Sequence, residues 1–171
     1  MVINLTKKKT KFFYIFIISL LRFLSFLILN INIQNYVSKT TSLVDYFLEI
    51  NEKNLFLFFS LISKNLTYSY NQLINITCID NINLSSYHSN MGRFSLIYIL
   101  NSVNTTSRLL IKFSFSINII IKSISSIYKA STWLEREIYD LFGIYFFEHN
   151  DLRRILTDYG FKGFPLRKIF L

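Results

Sequence analysis

With 171 residues, 51% of them hydrophobic and 18% aromatic, the chain has enough apolar side chains for one domain with a real core, which excludes a disordered, collagen-like or linker-dominated polypeptide. Its net charge of +9 lies entirely upstream: residues 1–131 hold 13 basic and 4 acidic side chains, and residues 132–171 hold 6 of each. The single cysteine, Cys78, excludes an internal disulfide and a self-supplied four-thiolate iron–sulfur cluster, and with only His88 and His149 beside it a structural zinc site lacks both ligands and spacing.

One alanine, Ala130, one proline, Pro165, and four glycines stand against 18 phenylalanines and 11 tyrosines. This is the mark of AT-rich codons, so a bare aromatic or isoleucine stripe is not read here as a binding surface. The lysine excess has the same bland explanation, although it would also suit nucleic acid, anionic lipid or an acidic partner.

The chain opens with Lys7, Lys8, Lys9 and Lys11, followed by about twenty mostly apolar residues, 12–31, interrupted by Arg22. Three readings stay open for them: a transmembrane or membrane-surface helix, a cleaved targeting segment, or a helix buried against this domain or its neighbours. Residues 1–40 are set apart as a basic, hydrophobic extension. From Thr41 to Ser63, apolar residues such as Leu43, Phe47, Ile50, Phe58, Phe59 and Ile62 recur at three- and four-residue steps, which predicts one amphipathic helix. Gln72–Asp80, Arg93–Asn101 and Leu109–Phe115 read as strands, the last two joined in a hairpin through the polar stretch 101–106. Ile117, Ile120, Ile121, Ile124 and Ile127 predict a second helix, ending at Ala130. The expected fold is α+β: a two-layer sandwich of a mostly antiparallel sheet with packed helices over 41–147, plus an N-terminal hydrophobic helix and an extended C-terminal docking segment over 148–171.

Thr132 and Glu135 have capping-box spacing, Arg136 and Asp140 are placed to pair across one helical turn, and Gly143 suits a left-handed helix end. These partners account for Glu135 and Asp140 without acid–base catalysis, and His149 reads as a hydrogen-bonding loop residue. Glycines 92, 143, 160 and 163 form no dinucleotide or phosphate loop, and the arginines at 153, 154 and 167 are interleaved with acids, as in interface ion pairs.

The segment WLEREIYDLFGIYF followed by EHNDLRRILTDYGFKGFPLRK resembles the signature of the 30 kDa subunit family of respiratory complex I, also called NADH dehydrogenase subunit 9. The match spans roughly residues 130–170; Asn150, Phe164, Ile169 and Leu171 depart from the family pattern, and the chain stops where members generally continue into a tail that wraps a neighbour. The resemblance implies a non-catalytic subunit of the mitochondrial enzyme, on the matrix side of the inner membrane. It implies a place in the quinone module beside the 49 kDa-type and terminal-cluster subunits, in a hetero-oligomer whose FMN, iron–sulfur clusters and ubiquinone lie outside this chain. It also implies a docking face, with Trp133, Glu135, Arg136, Glu137, Tyr139, Asp140, His149, Arg153, Arg154, Phe161 and Arg167 as candidate interface residues and no catalytic, cofactor or metal ligands. The competing class is a basic, membrane-associated organellar nucleic-acid-binding or ribosomal protein.

Overall fold

The computed structural model describes residues 32–37, 44–50, 55–64, 69–82, 92–104, 107–116 and 119–170. Seven strands and two helices occur among them: β1 (Asn32–Val37), β2 (Val44–Glu49), α1 (Leu55–Lys64), β3 (Gln72–Asp80), β4 (Phe94–Ser102), β5 (Ser107–Phe115), β6 (Ile121–Lys122), α2 (Ser131–Phe142) and β7 (Phe146–Phe147). The main sheet has the order β1-β2-β5-β4-β3, and β6 and β7 form a small parallel pair of their own.

β3, β4 and β5 form an antiparallel meander, as their spacing predicts, with Phe94 opposite Phe115, Leu96 opposite Phe113 and Tyr98 opposite Ile111. Period-two alternation puts Phe94, Leu96, Tyr98 and Leu100 on one buried face beside Leu109, Ile111, Phe113 and Phe115. A bulge between Leu73 and Asn75 shifts the phase of β3, so Leu73 and Ile76 both reach that face despite their odd spacing. Each of these large side chains contributes about 1.5–3 kcal/mol by leaving water.

Two expected helices are corrected. Residues 44–49 form β2, which is antiparallel to β1 and parallel to β5, making the sheet mixed; the helix begins only at Leu55. A short apolar run fits either structure, and here tertiary pairing overrides the helical spacing. β1 extends the sheet into the stretch assigned from sequence to the N-terminal extension. The second correction is at 119–130: instead of a helix there is a two-residue strand and a tight turn, closed by Ile127 and Tyr128 amides donating to Ile124 O, with Ile121 and Ile124 buried and Ile120 exposed. The proposed apolar helix at 12–31 lies outside the described residues; among those described, no helix is long and apolar enough to cross a membrane.

Both helices cover the same face of the sheet. α1 buries Leu55, Phe58, Phe59 and Ile62, and the Phe59 ring meets Tyr98 edge-on at 4.8 Å between centroids. α2 lies over the other end, where Phe142 meets Phe94 edge-on at 6.5 Å. Tyr128 ties the turn after β6 to this core by donating its hydroxyl to Tyr70 O at 2.6 Å.

Candidate protein-docking site

α2 starts without the expected cap. Ala130 occupies the N-cap position with no side-chain hydrogen bond, and Ser131 Oγ donates backward to Tyr128 O at 2.8 Å. Glu135 turns inward instead. Its Oε2 accepts from the Ser123 hydroxyl at 2.6 Å, and its Oε1 from the Ile124 amide at 2.9 Å. The residues after β6 thus use Glu135 as their anchor. Burial pushes the Glu135 carboxyl up to about 7, against hydrogen bonds from Ser123, Ile124 and Ser131 that favour its charge.

His149 packs beside it, and neither side chain touches solvent: Nε2 stands 3.9 Å from Glu135 Oε2 and 3.1 Å from Thr132 O. The Asp151 amide donates to His149 Nδ1 at 3.1 Å, which makes Nδ1 a bare acceptor and places the ring proton on Nε2, facing Thr132 O. The nearby Tyr98 hydroxyl is buried with no hydrogen-bond partner among the described residues; burial, then the charges of Glu135 and Cys78, push its pKa well up. Tyr98→Phe is expected to raise stability by about 1 kcal/mol, because it removes a desolvated donor and leaves no partner behind. Urea unfolding of the purified chain would show this, and a less stable variant would mean that the hydroxyl is satisfied.

Asp140 does not pair with Arg136. Its Oδ2 accepts from three successive amides, Ile155 at 3.1 Å, Leu156 at 2.7 Å and Thr157 at 2.9 Å, and its Oδ1 accepts from the Thr157 hydroxyl at 2.6 Å. Arg154 adds a contact at 3.5 Å and donates to Gly163 O at 3.1 Å. Arg136 instead donates to Arg153 O at 3.0 Å, and Arg153 clasps Asp151 with two bonds of 2.6 and 2.7 Å. The end of the segment is tied down as well. Arg167 donates to Phe142 O at 2.6 Å and stacks on Phe164, while the Lys168 amide donates to Asp80, whose carboxylate also holds Arg93. Gly143 ends α2 at φ 70°, as its position predicts, and a side chain there would collide with Phe164 and Arg167.

The eleven expected interface residues therefore fall into three groups. Glu135, Asp140 and the His149 side chain are enclosed within the chain and hold it together rather than facing outward. Arg136, Tyr139, Arg154 and Arg167 are partly buried, and the three arginines bond within or to the C-terminal segment. Trp133 is 65% exposed, the Arg153 side chain is 78% exposed, and Glu137 and Phe161 also face out. Sequence reasoning missed Tyr145, Phe147, Leu156, Tyr159, Leu166, Ile169 and Phe170, all large and exposed. It also missed the anchoring roles of Asp80 and Ser123, which depend on partners up to 88 residues away.

Among the described residues no group of three or more His, Cys, Asp or Glu side chains could hold a metal ion. The Cys78 thiol is pushed up to about 12 by burial and by the Asp80 charge, against the opposing charge of Arg167, so it is protonated at neutral pH. What the fold and the surface define is an α+β domain with a side-chain-anchored, irregular segment that displays apolar groups.

Residues 48–171 match the family described as the respiratory-chain NADH dehydrogenase 30 kDa subunit, and the chain belongs to that family. It is 44% identical over 123 residues to NADH-ubiquinone oxidoreductase subunit 9 of Dictyostelium citrinum, covering 72% of this chain and 58% of that protein. It is 42% identical over 112 residues to the mitochondrial 30.4 kDa subunit of the Neurospora crassa enzyme, covering 66% of this chain and 38% of that protein. The chain spans about half the length of the curated relatives it matches. A trypsin-resistant fragment of Nqo5 shares the fold at TM-score 0.61 and 20% identity, covering 71% of this chain and 89% of the fragment. The nucleic-acid-binding alternative has no counterpart among these relatives.

Proposed function

We propose that the chain is a non-catalytic core subunit of mitochondrial respiratory complex I, in the quinone module on the matrix side of the inner membrane. There it holds the 49 kDa-type and terminal-cluster subunits in place while electrons pass from NADH to ubiquinone. On this reading FMN, the iron–sulfur clusters and ubiquinone belong to the complex and none to this chain, and its partners are proteins rather than nucleic acid or a small substrate.

The observation that carries the proposal is the run from Glu148 to Phe170. It has neither helix nor strand, yet Asp140, Arg154, Arg167 and Asp80 fix it while Leu156, Tyr159, Ile169 and neighbouring Trp133 point outward. A backbone held in place by internal side chains loses little entropy on docking, and exposed aromatics are the side chains that dominate interface energy.

Trp133→Ala combined with Tyr159→Ala is expected to lower the amount of assembled complex about tenfold or more, since a buried aromatic anchor contributes about 2 kcal/mol or more to an interface. The measurement is native gel electrophoresis of mitochondrial membranes with in-gel NADH dehydrogenase activity, together with crosslinking from Lys162 and Lys168 to the quinone-module subunits. Turnover per assembled complex should stay unchanged; normal assembly with slowed turnover would contradict a positional role.

A further inference from the structure

Glu135 and His149 are buried ionisable groups that the docking surface leaves unused, and they meet where α2, the stretch 123–125 and the start of the C-terminal segment join. A neutral imidazole has one donor and one acceptor, and both are committed here: Nε2 to Thr132 O and Nδ1 to the Asp151 amide. A further proton has only Nδ1 to occupy, where it would set two N–H groups head to head across 3.1 Å.

We propose that His149 is a proton-labile latch: uptake of a second ring proton breaks its bond from the Asp151 amide and releases residues 149–153 from α2. The release reaches the surface, because Asp151 clasps Arg153 and lies 3.9 Å from Arg136. Asp151 and the Arg153 that it clasps therefore move together away from Arg136, whose bond to Arg153 O at 3.0 Å opens with the turn.

Titratable and charged groups from every element packed against the pair face it. Tyr98 on β4 and Cys78 on β3 both have raised pKa values and stay neutral at physiological pH. Lys122 and Glu148, the latter just before His149, neutralise each other at 2.8 Å, and Asp151 is offset by Arg153 and Arg136. Glu135 is the neighbour whose charge changes near neutrality.

The latch stands on this chain's own geometry, and only its bearing on docking rests on the function proposed above. The test uses the full ¹⁵N-labelled chain carrying His88→Gln, so that one imidazole remains. Ring ¹⁵N shifts and the hydrogen-exchange protection of the Asp151 amide, corrected for intrinsic exchange, are followed against pH, with β4 amides as the reference. Expected is a fall in Asp151 protection of about tenfold or more as the ring gains its second proton, while β4 stays protected. With His149→Gln, whose amide offers a donor and an acceptor that do not titrate in this range, protection should be independent of pH. Unchanged Asp151 protection through the ring titration, simultaneous loss in β4, or an unaltered pH response in the glutamine variant would each overturn the latch. None of these readings requires the assembled complex, so a failure of docking and a failure of the latch are distinguishable.

Discussion

Replacing Asp140 by asparagine is expected to cost about 3 kcal/mol of folding free energy and to free the segment after Arg154, because a fully buried carboxylate that organises several donors cannot be truncated cheaply. Three amides and one hydroxyl converge on its two oxygens. The asparagine NH2 would face either the three amides or Thr157, so at least one donor is left unpaired in either orientation. Burial by itself would raise the Asp140 carboxyl, but the Thr157 hydroxyl and the amides of Thr157, Leu156 and Ile155 outweigh it and hold the pKa low. A depressed folded-state pKa adds stability that is present at neutral pH and lost only as the pH falls below the usual carboxylate range. The variant should therefore lose most stability at pH 7 and approach the parent in acid. Urea unfolding at both pH values, with limited trypsin digestion at Arg153 and Arg154, would measure it. A variant as stable and as trypsin-resistant as the parent at pH 7 would remove Asp140 as the organising group.

The second large effect has the opposite sign. Glu135 is raised from 4.5 to about 7, so between those values the folded chain holds a proton that the unfolded chain has released. The contribution of Glu135 is then fullest below about pH 4.5 and is lost as pH rises through 7, by about 3 kcal/mol in all. Glu135→Gln keeps an acceptor for the Ile124 amide and has no carboxyl to ionise, so it should flatten this slope and be more stable than the parent at pH 8. Thermal or urea unfolding between pH 5 and 8 decides the matter. The same slope in both proteins would mean that another group carries it.

The elements legible from sequence are those whose pattern is self-contained. Gln72–Asp80 is short and β-branched, and it is the strand at those limits. Gly143 could be read because a left-handed cap is a local requirement. The helical spacings at 41–63 and 117–130 misled because isoleucine, leucine and phenylalanine are so frequent that apolar residues fall at i+3 and i+4 by composition, while parallel pairing of β2 with β5 lies beyond any local window. The candidate site was half legible. Trp133 and Arg153 are exposed side chains of the kind expected at an interface, and they lie within residues 48–171, which the family model matches. The capping box and the Arg136–Asp140 pair satisfied local rules yet lost to longer-range partners: Ser123 and Ile124 for Glu135, the amides of 155–157 for Asp140, and Asp151 for Arg136. Nothing in local spacing signals that a carboxylate will serve a backbone fifteen residues on.

The parallel seam between β2 and β5 also governs the order in which the chain can acquire its shape. β1 and β2 form a hairpin of near neighbours, and β3, β4 and β5 form another local unit, but Asp45 meets Arg108 only after 63 more residues have been added. At ribosomal rates of roughly 5–20 residues per second, one edge of β2 stays uncovered for on the order of several seconds after it emerges. Joining the halves requires closing a long loop, which places this step late in folding. Until then β2 offers unpaired backbone to any other extended chain, so the nascent protein is most open to mispairing before β5 has been synthesised.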